Sequence, residues 1–359
     1  KILFVSLSAP TNFGANGGAQ IYILHLSEQL VKMGFEVTIA GLNETRNSIV
    51  YPNKELINGV KVLRLGKGKL KVFQIRKWVK INQHDFDVVV ENMMQFPLLL
   101  PLVLKKPSKY YIIKHHFLGK DSFKILGFIK GFINVINEKV IIPLHNKPFI
   151  VPSEFTASFL KQNSFTSSSK KILINSPGIE IINQKINRTE HPTILYTGTL
   201  NLNRKKVDHL IEAFKTISIK IPKAQLIICG DGPSKSFLKQ LANGYNVDFK
   251  GYVSVEEKMK LYASSWVFAS PSLMEGFGIT WIEAGYFKLP VIVYDIGIDT
   301  VNSACAVHIE LNSVSGLADK IYELLTDKGL RCKMGEAGYM NAKQFSWEKN
   351  AKRFVNFIT

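Results

Sequence analysis

The sequence predicts an α/β protein built from doubly wound parallel sheets, arranged as two domains. Short continuous apolar runs, such as Lys1–Ser8 and Thr193–Gly198, recur along the chain and suit strands buried on both faces. Between them lie stretches with apolar residues at helical spacing, as strand–helix–strand units require. The 359 residues, 46% of them hydrophobic, suffice for two cores.

Composition narrows the function. The net charge is +18, and residues 51–150 hold 18 Lys and Arg against 6 Asp and Glu. A basic surface of that kind suits nucleic acid, an anionic membrane or an acidic substrate; a lysine-rich habit of the whole proteome is the bland alternative. Nucleic acid is set aside, because no reading motif or aromatic interleaving accompanies the lysines. No apolar run reaches the roughly 18–20 residues that span a bilayer. No stretch reads as a signal peptide, so a cytoplasmic protein is expected. Cys229, Cys305 and Cys332 lack metal-ligand spacing and are expected as buried free thiols in a reducing compartment.

The first strand, Lys1–Ser8, leads into a glycine-rich turn that runs from Pro10 through Gly14, Gly17 and Gly18 to Gln20. A helix over Ile21–Met33, closed by Gly34, and a strand over Phe35–Leu42 complete the first unit. The turn is not GxGxxG, which argues against an oxidoreductase. Residues 43–82 read as short strands and loops rich in Lys and Arg. Asp85 and Asp87 have Asp-x-Asp spacing, but they directly precede the apolar run Val88–Val90 and mark the entry to a strand rather than a metal site. Lys109–Lys114 is another parallel strand. It delivers His115 and His116 to its C-terminal end, the end that faces the ligand crevice in open α/β sheets. Phe123–Leu144 is apolar, interrupted by Lys124, Lys130, Asn134 and Lys139. It fits a buried core helix, the favoured reading, or an interfacial amphipathic helix. Phe149–Leu160 gives a strand, an N-cap at Ser153 and a helix. The polar run 181–191 is the expected linker, which sets the domains at 1–183 and 184–345.

The second domain opens with the strand Thr193–Gly198. Arg204-Lys205-Lys206 starts a helix, and the strands Gln225–Gly230 and Asp248–Val253 follow, with the turn Asp231-Gly232-Pro233 between them. The most informative stretch is Pro271–Asp295, PSLMEGFGITWIEAGYFKLPVIVYD. Glu275 and Glu283 lie eight residues apart, with Gly276-Phe277-Gly278 between them. The two glycines disfavour a helix interior. Glu275 is therefore expected in a loop, and Glu283 one or two turns into a helix over Ile279–Lys288. A helix N-terminus offers unpaired N–H groups and partial positive charge to an anion. Two carboxylates there suit the hydroxyls of a ligand whose phosphates meet the helix end.

Glu-x7-Glu, with Gly-x-Gly after the first Glu and a Pro-led strand after the second, resembles the nucleotide-sugar signature of retaining glycosyltransferases, in particular glycosyltransferase family 4. The resemblance implies the GT-B fold: two Rossmann-like doubly wound domains facing across a cleft, with residues 346–359 as a C-terminal helix crossing back to the first domain. It implies transfer of a hexose from a nucleoside-diphosphate sugar to a glycan or lipid-linked acceptor, with retention and with no metal or other cofactor. Arg204 and Lys205 would then hold the donor phosphates, helped by the N–H groups of Gly17 and Gly18. The Gly17 turn is similar to the family's Gly-Gly-x-Glu, with Gln20 in place of Glu, and Lys206 stands where the family has Gly. Gly198, Asp231, Tyr252, Val253, Gly276, Phe277, Gly278 and Ile279 would also line the donor. Glu283 would bind the ribose and Glu275 the transferred sugar. His115, with His116 as the fallback, would stand near the reacting centre.

A sugar-nucleotide epimerase or a phosphorylase of the same fold is the alternative. A basic non-catalytic binder of membrane or nucleic acid is the alternative of another class. The basic excess and the stretch 123–144 both fall in the domain that holds the acceptor in this family, which leads to an expected peripheral association with anionic membrane. Each Lys or Arg near such a surface is worth roughly 1 kcal/mol.

Overall fold

The computed structural model describes residues 1–11, 17–43, 51–66, 71–94, 97–104, 109–144, 147–162, 171–180 and 184–359. Gly14 of the glycine-rich turn and residues 181–183 of the expected linker lie outside the described residues. The chain divides into two compact units, Lys1–Gly178 with Trp347–Thr359, and Ile179–Ser346. The division falls ahead of residue 183 because Ile179 is already buried in the core of the second unit.

The first unit is built on β1 (Ile2–Ser6), β2 (Val37–Leu42), β3 (Lys54–Ile57), β4 (Val60–Leu65), β5 (Val88–Met93), β6 (Lys109–Lys114), β7 (Phe149–Val151) and β8 (Ile172–Ile174). Their order is β3-β4-β2-β1-β5-β6-β7-β8, parallel throughout except for the β3–β4 hairpin. Phe4 pairs with Ile39 on one side and Val90 on the other. Helices cover both faces of the middle of this row, so β1, β2 and β5 are buried along their whole length, whereas β3 and β4 at the edge alternate. One face packs the helix Gly18–Lys32 and the C-terminal helix Trp347–Ile358. There the Phe354 ring lies 5.8 Å from that of Phe4, and Asn350 donates to the Ser176 carbonyl at 2.8 Å.

Three expectations are corrected. Lys71–Asn82, expected as strands and loops, is a helix, because Ile75 and Val79 lie one turn apart and share a buried face. The stretch 123–144 is not a core helix. Phe128–Ile136 is helical and continues through a wider turn at Asn137–Ile141, but the side it buries is Gly131, Asn134, Asn137 and Glu138. Its phenylalanines and isoleucines are exposed. Of the cysteines, Cys229 and Cys305 are buried, whereas Cys332 is exposed on the helix Lys328–Ala342.

The second unit has six parallel strands: β9 (Thr193–Thr197), β10 (Gln225–Cys229), β11 (Val247–Gly251), β12 (Val267–Ser270), β13 (Val291–Tyr294) and β14 (Ala306–Ile309). Their order is β11-β10-β9-β12-β13-β14. The helices Val207–Lys220 and Val314–Thr326 cover one face, and Val255–Ser264 and Ile279–Tyr286 the other. The chain moves outward from β9 to β11, then returns to the far side of β9 with β12. Such a reversal opens a crevice at the C-terminal strand ends, the ligand site of open α/β sheets. In the first unit the same reversal occurs at β1, which lies between β2 and β5. Among the described residues, no helix is long and apolar enough to cross a membrane.

Candidate active site

The loops after β9 and β12 meet at the reversal in the second unit. Gly198 follows β9, and its carbonyl lies so close to Gly230 that a Cβ on Gly230 would sit 1.8 Å from that oxygen. Only glycine allows the two strand ends to touch there, and the contact draws the Asp231 turn toward the loop after β9. Asn201 then caps the short helix Leu202–Lys205, its side chain accepting from the Asn203 amide at 3.0 Å. Lys206 breaks the helix in the left-handed conformation, with φ +49°. That accounts for the family's Gly at this place: the backbone path demands positive φ, and here a lysine bears the strain.

The break turns Arg204 and Lys205 toward the loop Pro271–Gly278. The Leu273 amide donates to the Arg204 carbonyl at 2.8 Å, and Lys205 Nζ forms an ion pair with Glu275 Oε1. Burial alone would raise the Glu275 carboxyl, but the positive charges of Lys205 and Arg204 outweigh it and hold the group below the usual carboxylate range. Burial lowers the Lys205 ammonium, and Glu275 opposes that. The Arg204 Nε is buried with no hydrogen-bond acceptor among the described residues. An unpartnered guanidinium donor beside an ion pair can take an external anion as its partner.

Gly278 starts the helix Ile279–Tyr286 with φ +86°, where a Cβ would strike the Trp281 ring at 2.5 Å. Phe277 is buried against Phe345, with ring centroids 5.2 Å apart, which fixes the loop that carries Glu275 and Gly276. Glu283 lies in the second turn of the helix and is buried. Both of its oxygens are engaged. Lys258 Nζ lies 2.7 Å from Oε1, and the Tyr262 hydroxyl donates to Oε2 at 2.9 Å. The same hydroxyl lies 2.7 Å from Thr197 Oγ1 at the end of β9. The sequence reading missed Lys258, Tyr262 and Thr197. The one available signal was the spacing of Lys258 and Tyr262, one turn apart on the helix Val255–Ser264. At the other end of the crevice, Asp231 accepts from the Gly232 amide at 2.8 Å and from Lys235 at 3.2 Å. The Gly232 hydrogen bond and Lys235 hold its carboxyl below the usual range. Tyr252 and Val253 follow β11, with Tyr252 exposed.

The first unit gathers a different set at its strand ends. Gly17 and Gly18 stand exposed at the head of the helix Gly18–Lys32, and the Gly17 amide donates to Gln20 Oε1 at 2.9 Å. Gln20 is buried, and its Nε2 donates to Ser8 Oγ at 2.8 Å. A glutamate could accept from Gly17 but not donate to Ser8, so the amide suits this turn. His115 follows β6 directly, and its Nε2 lies 2.7 Å from Asn92 Oδ1 at the end of β5. Asn92 Nδ2 donates to Ser6 Oγ at 3.0 Å, which assigns the proton to His115 Nε2. Burial and the neighbouring Lys114 push the His115 pKa down to about 3, so the ring is neutral near pH 7. Lys114 itself donates to the Met94 carbonyl at 2.9 Å. His115 is thus held by a strand-end network that runs through Asn92 to Ser6. Asn92 was not read from the sequence as a partner.

Comparison with known proteins agrees with this architecture. Residues 179–341 match the family model for glycosyl transferases group 1, and residues 16–181 match that for glycosyltransferase family 4. The chain is 30% identical over 187 residues to a GDP-mannose-dependent monoacylated alpha-(1-6)-phosphatidylinositol monomannoside mannosyltransferase of Corynebacterium glutamicum. That match covers 49% of each chain, so the similarity spans about half the length of this relative. The structure superposes on sucrose-phosphate synthase from Thermosynechococcus elongatus with a TM-score of 0.79 at 19% identity, covering 99% of this chain and 98% of that one. It superposes on WaaG, a glycosyltransferase involved in lipopolysaccharide biosynthesis, with a TM-score of 0.73 at 16% identity, covering 99% of each. These likenesses define the class as GT-B, with its two Rossmann-like units. The chain belongs to the glycosyltransferases of the group 1 and family 4 type.

Proposed function

We propose that the protein transfers a hexose from a nucleoside-diphosphate sugar to a glycan or lipid-linked acceptor, with retention and without a metal ion. The observation that carries this reading is the cluster of Arg204, Lys205, Glu275 and Glu283 at the strand reversal of the second unit. A diphosphate leaving group gains negative charge as its bond to the anomeric carbon breaks. The Arg204 guanidinium, with its unpartnered Nε, and the Lys205 ammonium are the groups to meet that charge. Glu275 keeps Lys205 charged and presents a carboxylate to sugar hydroxyls. Glu283 serves the ribose, whose hydroxyls would replace Lys258 or Tyr262 as its partners. His115, being neutral, offers hydrogen bonding to the transferred sugar rather than charge.

The acceptor oxygen forms the new bond on the face from which the diphosphate leaves, and the acceptor proton passes to a phosphate oxygen. No side chain then needs to act as the base. The mannosyltransferase relative, GDP-mannose-dependent and named for a phosphatidylinositol monomannoside, supports a lipid-linked acceptor and work at a membrane surface. A thermal-shift screen against nucleoside diphosphates and their sugars tests the donor assignment, because a ligand of the native state raises its stability. One nucleotide series should raise Tm, and release of the free diphosphate should begin only when acceptor is added. A protein unmoved by every nucleotide would overturn the reading. Diphosphate release without acceptor would favour the epimerase alternative.

A further inference from the structure

We propose that the outward face of the helix Phe128–Ile136, with its continuation to Ile141, is a docking surface for an anionic lipid bilayer. It deepens the lipid-linked acceptor reading and rests on it for the acceptor, but the surface is tested without any sugar transfer.

The helix is inside out. The side that meets the rest of the unit is small and polar. A Cβ on Gly131 would lie 2.8 Å from the Phe123 Cα, so the helix presses directly on that backbone. Asn134 Nδ2 donates to Ser122 Oγ at 2.9 Å. Glu138 accepts from the Leu118 and Gly119 amides at 2.9 and 2.8 Å, with Lys114 Nζ at 3.9 Å. These bonds fix the rotation of the helix. Turning it to bury its phenylalanines would strip several buried polar groups of their partners, a larger loss than the apolar burial would return.

What remains outside is apolar. Phe128 is 78% exposed, Ile129 74% and Phe132 53%, and Ile133, Ile136 and Val140 are exposed as well. Their spacing of one, three and four residues places them in one stripe along the helix. A continuous stripe of large apolar side chains on a protein surface marks an interaction site.

The charges around the stripe identify the occupant. Lys124, Lys130 and Lys139 are exposed on the same segment, and Asp121 is the one exposed carboxylate among the described residues of 115–144. A second copy of this chain would bring lysines against lysines. A bilayer with anionic headgroups meets both features at once, the apolar side chains entering the acyl boundary and the ammonium groups staying at headgroup level.

The test uses the full chain, vesicles of phosphatidylcholine alone, and vesicles with added phosphatidylglycerol. The wild type should co-sediment with the anionic vesicles at low salt, weakly or not at all with the neutral ones. The double substitution Phe128→Gln, Phe132→Gln should lower that partitioning at least about tenfold. Because both side chains are already exposed, the variant should keep its Tm and its nucleoside-diphosphate shift, so loss of vesicle binding is not loss of fold. Tryptophan fluorescence of Phe128→Trp should shift to the blue with anionic vesicles. Equal binding by wild type and double variant, equal binding to both vesicle types, or a dimer that the double variant dissolves would each overturn the proposal. Vesicle binding that depends on Phe128 and Phe132 in a protein that ignores nucleotides would support this surface and overturn the donor reading instead.

Discussion

The strand ends of the two units carry different chemistry. After β9 and β12 the second unit gathers Arg204, Lys205, Glu275 and Glu283, with Lys258 laid against the last. After β1, β5 and β6 the first unit gathers Ser8, Gln20, Asn92 and His115, all uncharged near neutral pH. Lys114, which precedes His115, is turned to a backbone carbonyl and to Glu138. Charge is expensive to hold at a half-buried site unless it is paired or awaits a charged ligand. Both units reverse strand order in the same way, so the fold does not impose the difference. Under the proposed function the difference separates two tasks: one unit would hold a diphosphate and ribose, the other would offer neutral hydrogen bonds to a sugar.

The largest effect expected from this contrast is at Arg204. Arg204→Ala should lower kcat/KM by about a hundredfold or more, with both rate and donor affinity falling, because phosphate charge grows toward the transition state. Arg204→Lys should not restore it, since an ammonium lacks the Nε donor. Steady-state kinetics over donor concentration checks both. At Glu283 the loss should appear in binding. Glu283→Ala should cost on the order of 1.5–3 kcal/mol in nucleoside-diphosphate affinity by calorimetry, whereas Glu275→Gln should mainly lower turnover. Similar losses of affinity in both variants would erase the division of roles between the carboxylates.

In the first unit the expected effect is on pH dependence. His115 takes up its proton only near pH 3 when folded, against an ordinary value of 6.5. Between those values the unfolded chain binds more protons, so this contribution to stability is full above pH 6.5 and is lost as pH falls toward 3. Urea unfolding at a series of pH values should show a steeper acid decline in the wild type than in His115→Gln. Identical slopes would mean that His115 titrates normally in the fold. The smallest effect belongs to Lys206. Its left-handed backbone should make Lys206→Gly stabilising by ~1 kcal/mol, read as a rise in Tm.

Residue order exposed some of this site and concealed the rest. The Gly-Phe-Gly before Ile279 marked where the helix begins, since glycine is the residue that tolerates the backbone of Gly278. The helix end was read too late: it closes at Tyr286, and Lys288 lies in the left-handed region. His115 was legible because the apolar run Lys109–Lys114 ends at it. The partners of Glu283 were not legible, because Lys258 and Tyr262 reach it across the sheet face from another helix. The helix Phe128–Ile136 shows a deeper limit. Apolar periodicity says that one side differs from the other, not which side faces inward. Here that was decided by Ser122, Leu118 and Gly119, which reward Asn134 and Glu138 for pointing in.

The central claim is that the cationic cluster of the second unit binds a nucleoside diphosphate without help from a metal. Calorimetric titration of uridine, guanosine and adenosine diphosphates into the wild type and Arg204→Ala, all in excess EDTA, tests it most directly. One diphosphate should bind the wild type under these conditions and lose most of its affinity in the variant. Binding that appears only when Mg²⁺ or Mn²⁺ is restored, and that disappears on substitution of Asp85 or Asp87 rather than Arg204, would contradict it.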